Sequence, residues 1–184
     1  MVFDRETDVL VVGTGGAAFS AAITARKYGA RVIMLEKAPT VGGTTARSGG
    51  GFWVPNNHFL RKQGVSDTKE DALRYMARYS YPHLYNPEAP RLGLPENEFA
   101  LIEAFYDNAS KMAEFLRDCG AVKSVQETNW LGKNPVDYMD HLPENKGIRG
   151  RVLYPQDDKG NQAWGPELIR QMKAWADAND IAIL

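Results

Sequence analysis

A few small residues and one acid near the start of the chain have the types and spacing that could hold a pyrophosphate and a ribose. Gly13, Gly15 and Ala18 fill the pattern G-x-G-x-x-G/A, and Glu36 follows Gly13 by 23 residues. The first glycine permits a tight turn, and the second lets a phosphate approach the backbone. A carboxylate about 20 residues further on accepts hydrogen bonds from both ribose hydroxyls. The spacing therefore predicts a dinucleotide site, at which the charge of Glu36 disfavours a 2′-phosphate such as that of NADP.

The flanking sequence predicts the elements that would position these residues. Val9–Val12 is a short apolar, β-branched run, typical of a strand buried on both faces of a parallel sheet. A helix is predicted from Gly16 to Tyr28, and a second strand from Arg31 to Leu35. The N-terminus of this helix would offer unpaired N–H groups to phosphates. A glycine turn can also serve packing alone, so a βαβ unit without a ligand is the alternative.

A second glycine-rich segment, with several hydroxyl side chains, runs from Gly42 to Gly51. Its backbone N–H groups and small hydroxyls can lie against a long cofactor without steric obstruction. This favours a flavin over an NAD-dependent dehydrogenase with Glu36 on the NAD ribose. A flexible surface loop is the alternative, because glycine and threonine also make linkers.

The stretch from Glu36 to Asn57, E-K-A-P-x-x-G-G-T-T-A-x-S-G-G-G-x-W-V-P-N-N, resembles the family of fumarate reductase and succinate dehydrogenase flavoprotein subunits and 3-ketosteroid dehydrogenases. The resemblance implies FAD as the cofactor. It also implies an α/β fold, in which a Rossmann-like FAD-binding domain (a parallel sheet with flanking helices) carries a mainly helical cap insertion. The implied FAD contacts are Gly13, Gly15, Gly16, Ala17, Ala18, Glu36, Lys37, Ala38, Gly43, Thr44, Thr45, Ser48, Gly49, Gly50 and Gly51.

A second likeness concerns catalysis. Asp137-Tyr138, Pro143-Glu144 and the run from Gly150 to Pro155 resemble the 3-ketosteroid dehydrogenase pattern in which D-Y and P-E precede G-R-x-L-x-P, with extra residues here between D-Y and P-E. In those enzymes a tyrosine from this region serves the active site, which makes Tyr138 the candidate catalytic residue. A packed or solvent-edge tyrosine is the alternative. Arg151 is expected either to face an anionic substrate or to pair with a carboxylate such as Asp157.

The rest of the chain predicts mostly helices. One helix is expected with Ser66 or Asp67 as its N-cap, another over Glu96 to Cys119, and a last one from Gly165 to about Asn179. A strand is expected from Ile181 to Leu184. Irregular connections are predicted for Phe52–Phe59 and for the proline-rich stretch Tyr81–Pro95.

Composition excludes several classes of protein. A net charge of -1 argues against a nucleic-acid-binding surface. The one cysteine, Cys119, cannot form an intrachain disulfide, and the three histidines lack metal-ligand spacing, so no metal site is predicted. The apolar run near the N-terminus is too short for a signal peptide or a membrane span, and a cytoplasmic protein is expected.

The sequence thus predicts an FAD-binding core over residues 1–56, an incomplete cap insertion over 57–155 and a returning helix and strand over 156–184. By resemblance, the parent enzyme is an oxidoreductase that transfers a hydride at flavin N5 and acts on a CH–CH bond next to a carbonyl or carboxylate. The expected substrate is a small carbonyl or carboxylate compound, steroid-like ones included, and the electron partner is not identified. Family members are several hundred residues long, so the chain looks truncated and is expected to be catalytically incomplete alone. The remaining alternative is a non-catalytic nucleotide-binding module.

Overall fold

Residues 4–129 and 131–184 are described by the structure, a computed structural model. The chain divides into two units. The first comprises Met1–Gly51, Leu116–Val125 and Tyr154–Leu184, and the second comprises Phe52–Phe115 and Gln126–Leu153. The predicted boundaries after residues 56 and 155 separate an FAD-binding core, a cap insertion and a returning segment by function. These functional boundaries stay predictions.

A three-stranded parallel sheet lies at the centre of the first unit, in the order β1-β2-β6. Strand β1 spans Val9–Val12, β2 spans Val32–Leu35 and β6 spans Ala182–Ile183. The register pairs Val9 with Val32 and Val12 with Leu35. The residues that follow β1 and β2, Gly13 and Glu36, therefore leave the sheet at the same edge. The predicted parallel βαβ arrangement is confirmed.

Two helices of the first unit pack against each other, α1 over Gly16–Lys27 and α5 over Gly165–Ala178. The buried side chains of α1 include Phe19, Ala22 and Ile23, and the helix ends one residue before the predicted Tyr28, which is its C-cap. The small residues at its start let the backbone of α1 lie close to the glycine segments.

The burial predicted for β1 was wrong on one face. Val11 is 8% exposed, whereas Leu10 is 56% and Val12 is 79% exposed. Val11 lies beside Met34, which is fully buried, so one face of the β1–β2 pair is covered. Among the described residues, the opposite face is left open. An apolar, β-branched run has the same composition in a strand covered on one face as in one covered on both.

The second unit is mainly helical. Its helices are α2 over His58–Lys62, α3 over Lys69–Ser80 and most of α4, which spans Glu96–Asp118. Strand β3, over Phe52–Trp53, pairs antiparallel with Val152 and Leu153 of β5, which spans Val152–Pro155. Strand β4 spans Ser124–Gln126. Leu73, Met76 and Ile102 belong to the apolar core between α3 and α4.

Two local predictions for the second unit need correction, and one is confirmed. The N-cap of α3 is Thr68, whose hydroxyl accepts a hydrogen bond from the N–H of Asp71, and not Ser66 or Asp67. The predicted irregular stretch Phe52–Phe59 contains β3 and the start of α2, which Asn57 caps. The irregular connection predicted for Tyr81–Pro95 is confirmed, since the stretch consists of turns and one short 3-10 segment at Pro90–Gly93. No helix in the described part of the chain is long and apolar enough to cross a membrane.

Gly49 and Gly50 are neighbours whose surroundings differ, which gives a matched test of the packing. Gly50 has a φ of +74°, and a Cβ there would lie 2.4 Å from the backbone nitrogen of Gly165. At Gly49 no described atom lies within 4 Å of such a Cβ. We expect Gly50→Ala to lower the free energy of unfolding by about 2–5 kcal/mol, because left-handed backbone and overpacking both cost energy.

Gly49→Ala should change the free energy of unfolding by less than about 1 kcal/mol. Urea unfolding of the two cofactor-free variants measures the difference. Equal midpoints would contradict the close approach of Gly50 to Gly165.

Candidate functional site

The carboxylate of Glu36 lies at the glycine turn. Thr14 donates a hydrogen bond from its hydroxyl to Oε2 of Glu36, and the N–H of Ala38 donates to Oε1 at 3.0 Å. These two hydrogen bonds, first that from Thr14, hold the pKa of Glu36 below its ordinary value. Glu36 is therefore ionised at neutral pH, in a state that can accept hydrogen bonds from ribose hydroxyls.

The N-terminus of α1 lies against the second glycine segment. The N–H of Gly16 donates to the hydroxyl of Thr45 at 3.0 Å, so one of the N–H groups expected to be unpaired is engaged by the protein. Helix geometry leaves the N–H groups of Ala17 and Ala18 without acceptors inside the helix. Together with the partial positive charge at this end of α1, they suit a phosphate.

The glycines of the site divide into two groups. At Gly13, Gly43 and Gly49, no heavy atom of the described chain lies within 4 Å of an added Cβ, so the backbone is open to a ligand. At Gly51 a Cβ would lie 2.9 Å from the ring of Tyr154. Packing within the protein thus accounts for Gly51, whereas the open glycines form a cradle that side chains would fill.

A cavity of about 340 Å³ lies beside Glu36. Its size falls within the range of small-molecule sites. The N–H of Glu36 donates to the carbonyl oxygen of Leu184 at 2.8 Å, which continues the parallel sheet along one wall. The lining residues are Glu36, Ala38, Pro39, Thr40, Val41, Lys173, Asp177, Ile183 and Leu184.

In the second unit, Arg151 is fully buried and paired with two carboxylates. Its guanidinium donates to Asp67 at 3.0 and 2.8 Å and to Asp137 at 3.1 Å. Burial alone would lower the pKa of Arg151, but the hydrogen bonds and charges of the two aspartates outweigh it and raise the pKa. Of the two expectations for Arg151, pairing is the one observed, although Asp157 is not the partner. Asp157 accepts hydrogen bonds from the N–H groups of its own turn.

Aromatic rings enclose this ion pair. The guanidinium carbon of Arg151 lies 5.3 Å from the ring centres of both Trp53 and Tyr75. The indole N–H of Trp53 also donates to Asp137, at 3.0 Å. Burial first, and then the charge of Asp137, raise the pKa of Tyr75 to about 12. The Tyr75 hydroxyl is therefore a hydrogen-bond donor at working pH, and it donates to the carbonyl oxygen of Tyr138.

Tyr138 has a hydrogen-bonded backbone carbonyl group and an exposed side chain. The hydrogen bond from Tyr75 fixes its carbonyl group, while the residue is 79% exposed. Its ring meets that of Tyr79 edge-on, with the centroids 6.2 Å apart. The catalytic role of Tyr138 stays a prediction. Among residues 4–129 and 131–184, no group of three His, Cys, Asp or Glu side chains is arranged to hold a metal ion.

An acid at the tip of the second parallel strand, joined to a glycine turn that opens a helix, defines a dinucleotide-binding protein. Residues 8–160 match the FAD binding domain family, and the chain belongs to that family. The predicted cofactor, FAD, and the predicted α/β fold class are thereby confirmed.

The curated relatives are oxidoreductases. The chain is 34% identical over 166 residues to the 3-oxosteroid 1-dehydrogenase of Mycolicibacterium smegmatis, a match that covers 89% of this chain and 25% of the relative. It is 36% identical over 149 residues to the NADH:fumarate oxidoreductase of Klebsiella pneumoniae, covering 81% of this chain and 14% of the relative. The chain thus spans a quarter or less of the length of these relatives.

Solved structures share the fold. The 3-ketosteroid delta1-dehydrogenase of Sterolibacterium denitrificans superposes with a TM-score of 0.70 at 20% identity, covering 96% of this chain and 40% of that one. A flavocytochrome c3 fumarate reductase superposes with a TM-score of 0.65 at 22% identity, covering 98% and 26%. Two of the three kinds of enzyme named in the sequence resemblance, the 3-ketosteroid dehydrogenases and the fumarate reductases, are therefore also structural neighbours.

The buried Arg151 network predicts a large effect on stability. We expect Arg151→Met to lower the free energy of unfolding by about 3–5 kcal/mol, because Asp67 and Asp137 would keep their charges in a buried place. Arg31→Met is the matched control, since Arg31 and its partner Asp8 are 62% and 48% exposed. That variant should lose no more than about 1 kcal/mol.

Urea unfolding at neutral pH measures both variants. Adding Asp67→Asn and Asp137→Asn to Arg151→Met should restore part of the lost stability, because the unpaired charges are then removed. Equal losses for the Arg151 and Arg31 variants would contradict the burial of this network.

Proposed function

We propose that this chain carries the FAD-binding part of an oxidoreductase that acts on a CH–CH bond next to a carbonyl or carboxylate. The observation that carries this proposal is the Glu36 carboxylate, held at the glycine turn beside a cavity of about 340 Å³. The activities for which the relatives are named, steroid dehydrogenation and fumarate reduction, support the reaction class. The single cysteine, Cys119, fits a reducing compartment, and we propose the cytoplasm.

The residues of the first unit fit FAD. Glu36 would accept the ribose hydroxyls of the adenosine half, and the N–H groups of Ala17 and Ala18 would face the pyrophosphate. The open backbone at Gly43 and Gly49 would run along the rest of the molecule. FAD, when bound, supplies the hydride acceptor or donor, and the part of this chain is to bind and orient it.

We further propose a neutral ring ketone, such as a steroid-like compound, as the substrate class. The charge of Arg151 is neutralised by Asp67 and Asp137, so Arg151 is not free to bind a substrate carboxylate. The rings of Tyr79 and Tyr138, 43% and 79% exposed, offer an aromatic edge in the same unit. An apolar ring gains more from such an edge than a dicarboxylate does.

FAD binding tests the assignment of the cofactor. We expect the purified chain to bind FAD, with loss of FAD fluorescence, and Glu36→Ala to raise the Kd by about tenfold or more, because hydrogen bonds to a charged group are lost. Glu88→Ala, an exposed acid in the second unit, is the control. A Glu36→Ala variant with wild-type affinity would contradict the site. Binding of NAD in place of FAD would support an NAD-dependent dehydrogenase.

Turnover tests the role of Tyr138. With FAD and an artificial electron acceptor, a panel of ketosteroids and unsaturated acids measures activity. If Tyr138 moves the proton that accompanies the hydride, Tyr138→Phe should lower kcat by about 10²–10⁴-fold and leave the FAD affinity unchanged.

Tyr28→Phe is the control, since Tyr28 is 80% exposed. Unchanged kcat in Tyr138→Phe would exclude Tyr138 as the proton-transfer group. FAD binding without turnover by the wild-type chain would indicate an incomplete enzyme or a non-catalytic module.

A further inference from the structure

Thr14 occupies the variable place of the G-x-G turn, yet its side chain is fixed on both sides. The residue is 1% exposed. Its hydroxyl donates to Oε2 of Glu36 and accepts from the N–H of Gly42 at 2.9 Å. A threonine hydroxyl has one donor, and that donor is committed to the carboxylate. Thr14 therefore joins the turn to the acid and to the second glycine segment at once.

The Gly42 end of this connection is rigid. Gly42 has a φ of +108°, and a Cβ there would lie 2.6 Å from the Cβ of Ala46 and 2.9 Å from Ile169. A few residues later, the hydroxyl of Thr45 accepts from the N–H of Gly16. Two threonine hydroxyls thus hold the second glycine segment against the first turn and against the start of α1.

The Glu36 end is arranged so that the carboxylate still has capacity for a ligand. Thr14 occupies one site on Oε2, and the N–H of Ala38 occupies one on Oε1. An ionised carboxylate has about four acceptor sites, so about two remain for a pair of ribose hydroxyls. Free rotation of the side chain would disperse these sites, and the hydrogen bonds from Thr14 and Ala38 restrain that rotation.

We propose that Thr14 is a positioning residue for the dinucleotide, whose hydroxyl aims the Glu36 carboxylate at the ribose and holds the second glycine segment at Gly42. This inference rests on the proposed FAD site. According to this inference, Thr14 contributes to the free energy of FAD binding by acting through Glu36.

The pH dependence of binding separates this role from a merely structural one. The hydrogen bond from Thr14 is the foremost cause of the lowered pKa of Glu36. FAD binding should persist while Glu36 is ionised and weaken as the pH falls through that pKa. Without the hydroxyl the pKa rises, so binding should weaken at a higher pH. The charged side chains of α5 at the same cavity, Lys173 and Asp177, pair with each other at 2.6 Å.

The test compares Thr14→Val, which keeps the side-chain shape but removes the hydroxyl, with Thr14→Ser, which keeps the hydroxyl. FAD fluorescence quenching gives the Kd from pH 4 to pH 8. We expect Thr14→Val to raise the Kd at neutral pH by about tenfold and to move the acid limb of the profile upward. Thr14→Ser should keep the wild-type Kd at neutral pH and the wild-type acid limb. Thr24→Val is the control, because the Thr24 hydroxyl donates to the carbonyl oxygen of Ser20 within α1.

A double-mutant cycle keeps the test decisive if Thr14→Val is less stable. In a Glu36→Gln background, Thr14→Val should cost less affinity than in the wild-type background, because the share that acts through the Glu36 carboxylate is already lost. NMR titration of Glu36 in the cofactor-free protein should show a higher pKa in Thr14→Val. If Thr14→Val keeps the wild-type affinity and pH profile, the role of Thr14 is refuted and the proposed FAD site is not. The same holds if the affinity losses of Thr14→Val and Glu36→Gln are simply additive. A wild-type chain that does not bind FAD would overturn the proposed function as well.

Discussion

The parallel pairing of β1 with β2 is the constraint on which the cofactor site depends. With Val12 opposite Leu35, the next residues of both strands emerge at the same edge. The N–H of Gly13 donates to the carbonyl oxygen of Leu35 at 2.7 Å, which extends the pairing into the turn itself. An antiparallel pair would place the turn and the acid at opposite ends of the sheet. Only the parallel arrangement brings a hydroxyl from the turn within reach of a carboxylate more than twenty residues later.

The two units use charge in opposite ways. Glu36 keeps part of its hydrogen-bonding capacity open, which suits a ligand. Arg151 does the reverse, since its guanidinium donates to Asp67 and Asp137 and lies 5.3 Å from the ring centres of both Trp53 and Tyr75. Because these guanidinium donors are already engaged, Arg151 is not available to bind a substrate. The same hydrogen bonds link the backbone segments that carry Asp67, Asp137 and Arg151. Asp137 is a member of this Arg151 network, and Tyr75 donates to the carbonyl oxygen of the adjoining Tyr138, so the backbone next to the exposed phenol of Tyr138 is tied to the network.

The sequence predicted what local patterns determine and missed what depends on distant partners. The bounds of β1 and α1 were predicted within a residue because their signals, an apolar run and a glycine at each end, are local. Strand β3 was missed, since two residues form a strand there only because Val152 and Leu153 pair with them. Asp67 has the chemistry of an N-cap, and nothing nearby in the sequence shows that it pairs with Arg151. The position of Thr14 in the motif carries no residue preference, so its two hydrogen bonds appear only in three dimensions.

A glycine in the second glycine segment can leave space for a ligand or can allow close packing within the protein, and only the structure distinguishes the two cases. Gly43 and Gly49 are open to a ligand, whereas Gly42 and Gly50 are glycines because the protein itself occupies the space of a side chain. The packed glycines hold the segment in the conformation that presents the open ones. The same reasoning extends to Gly165, outside the fingerprint, where a Cβ would lie 2.0 Å from the carbonyl oxygen of Thr45. The start of α5 must therefore be glycine for the segment to lie where it does, and the cradle is built from three separate parts of the chain.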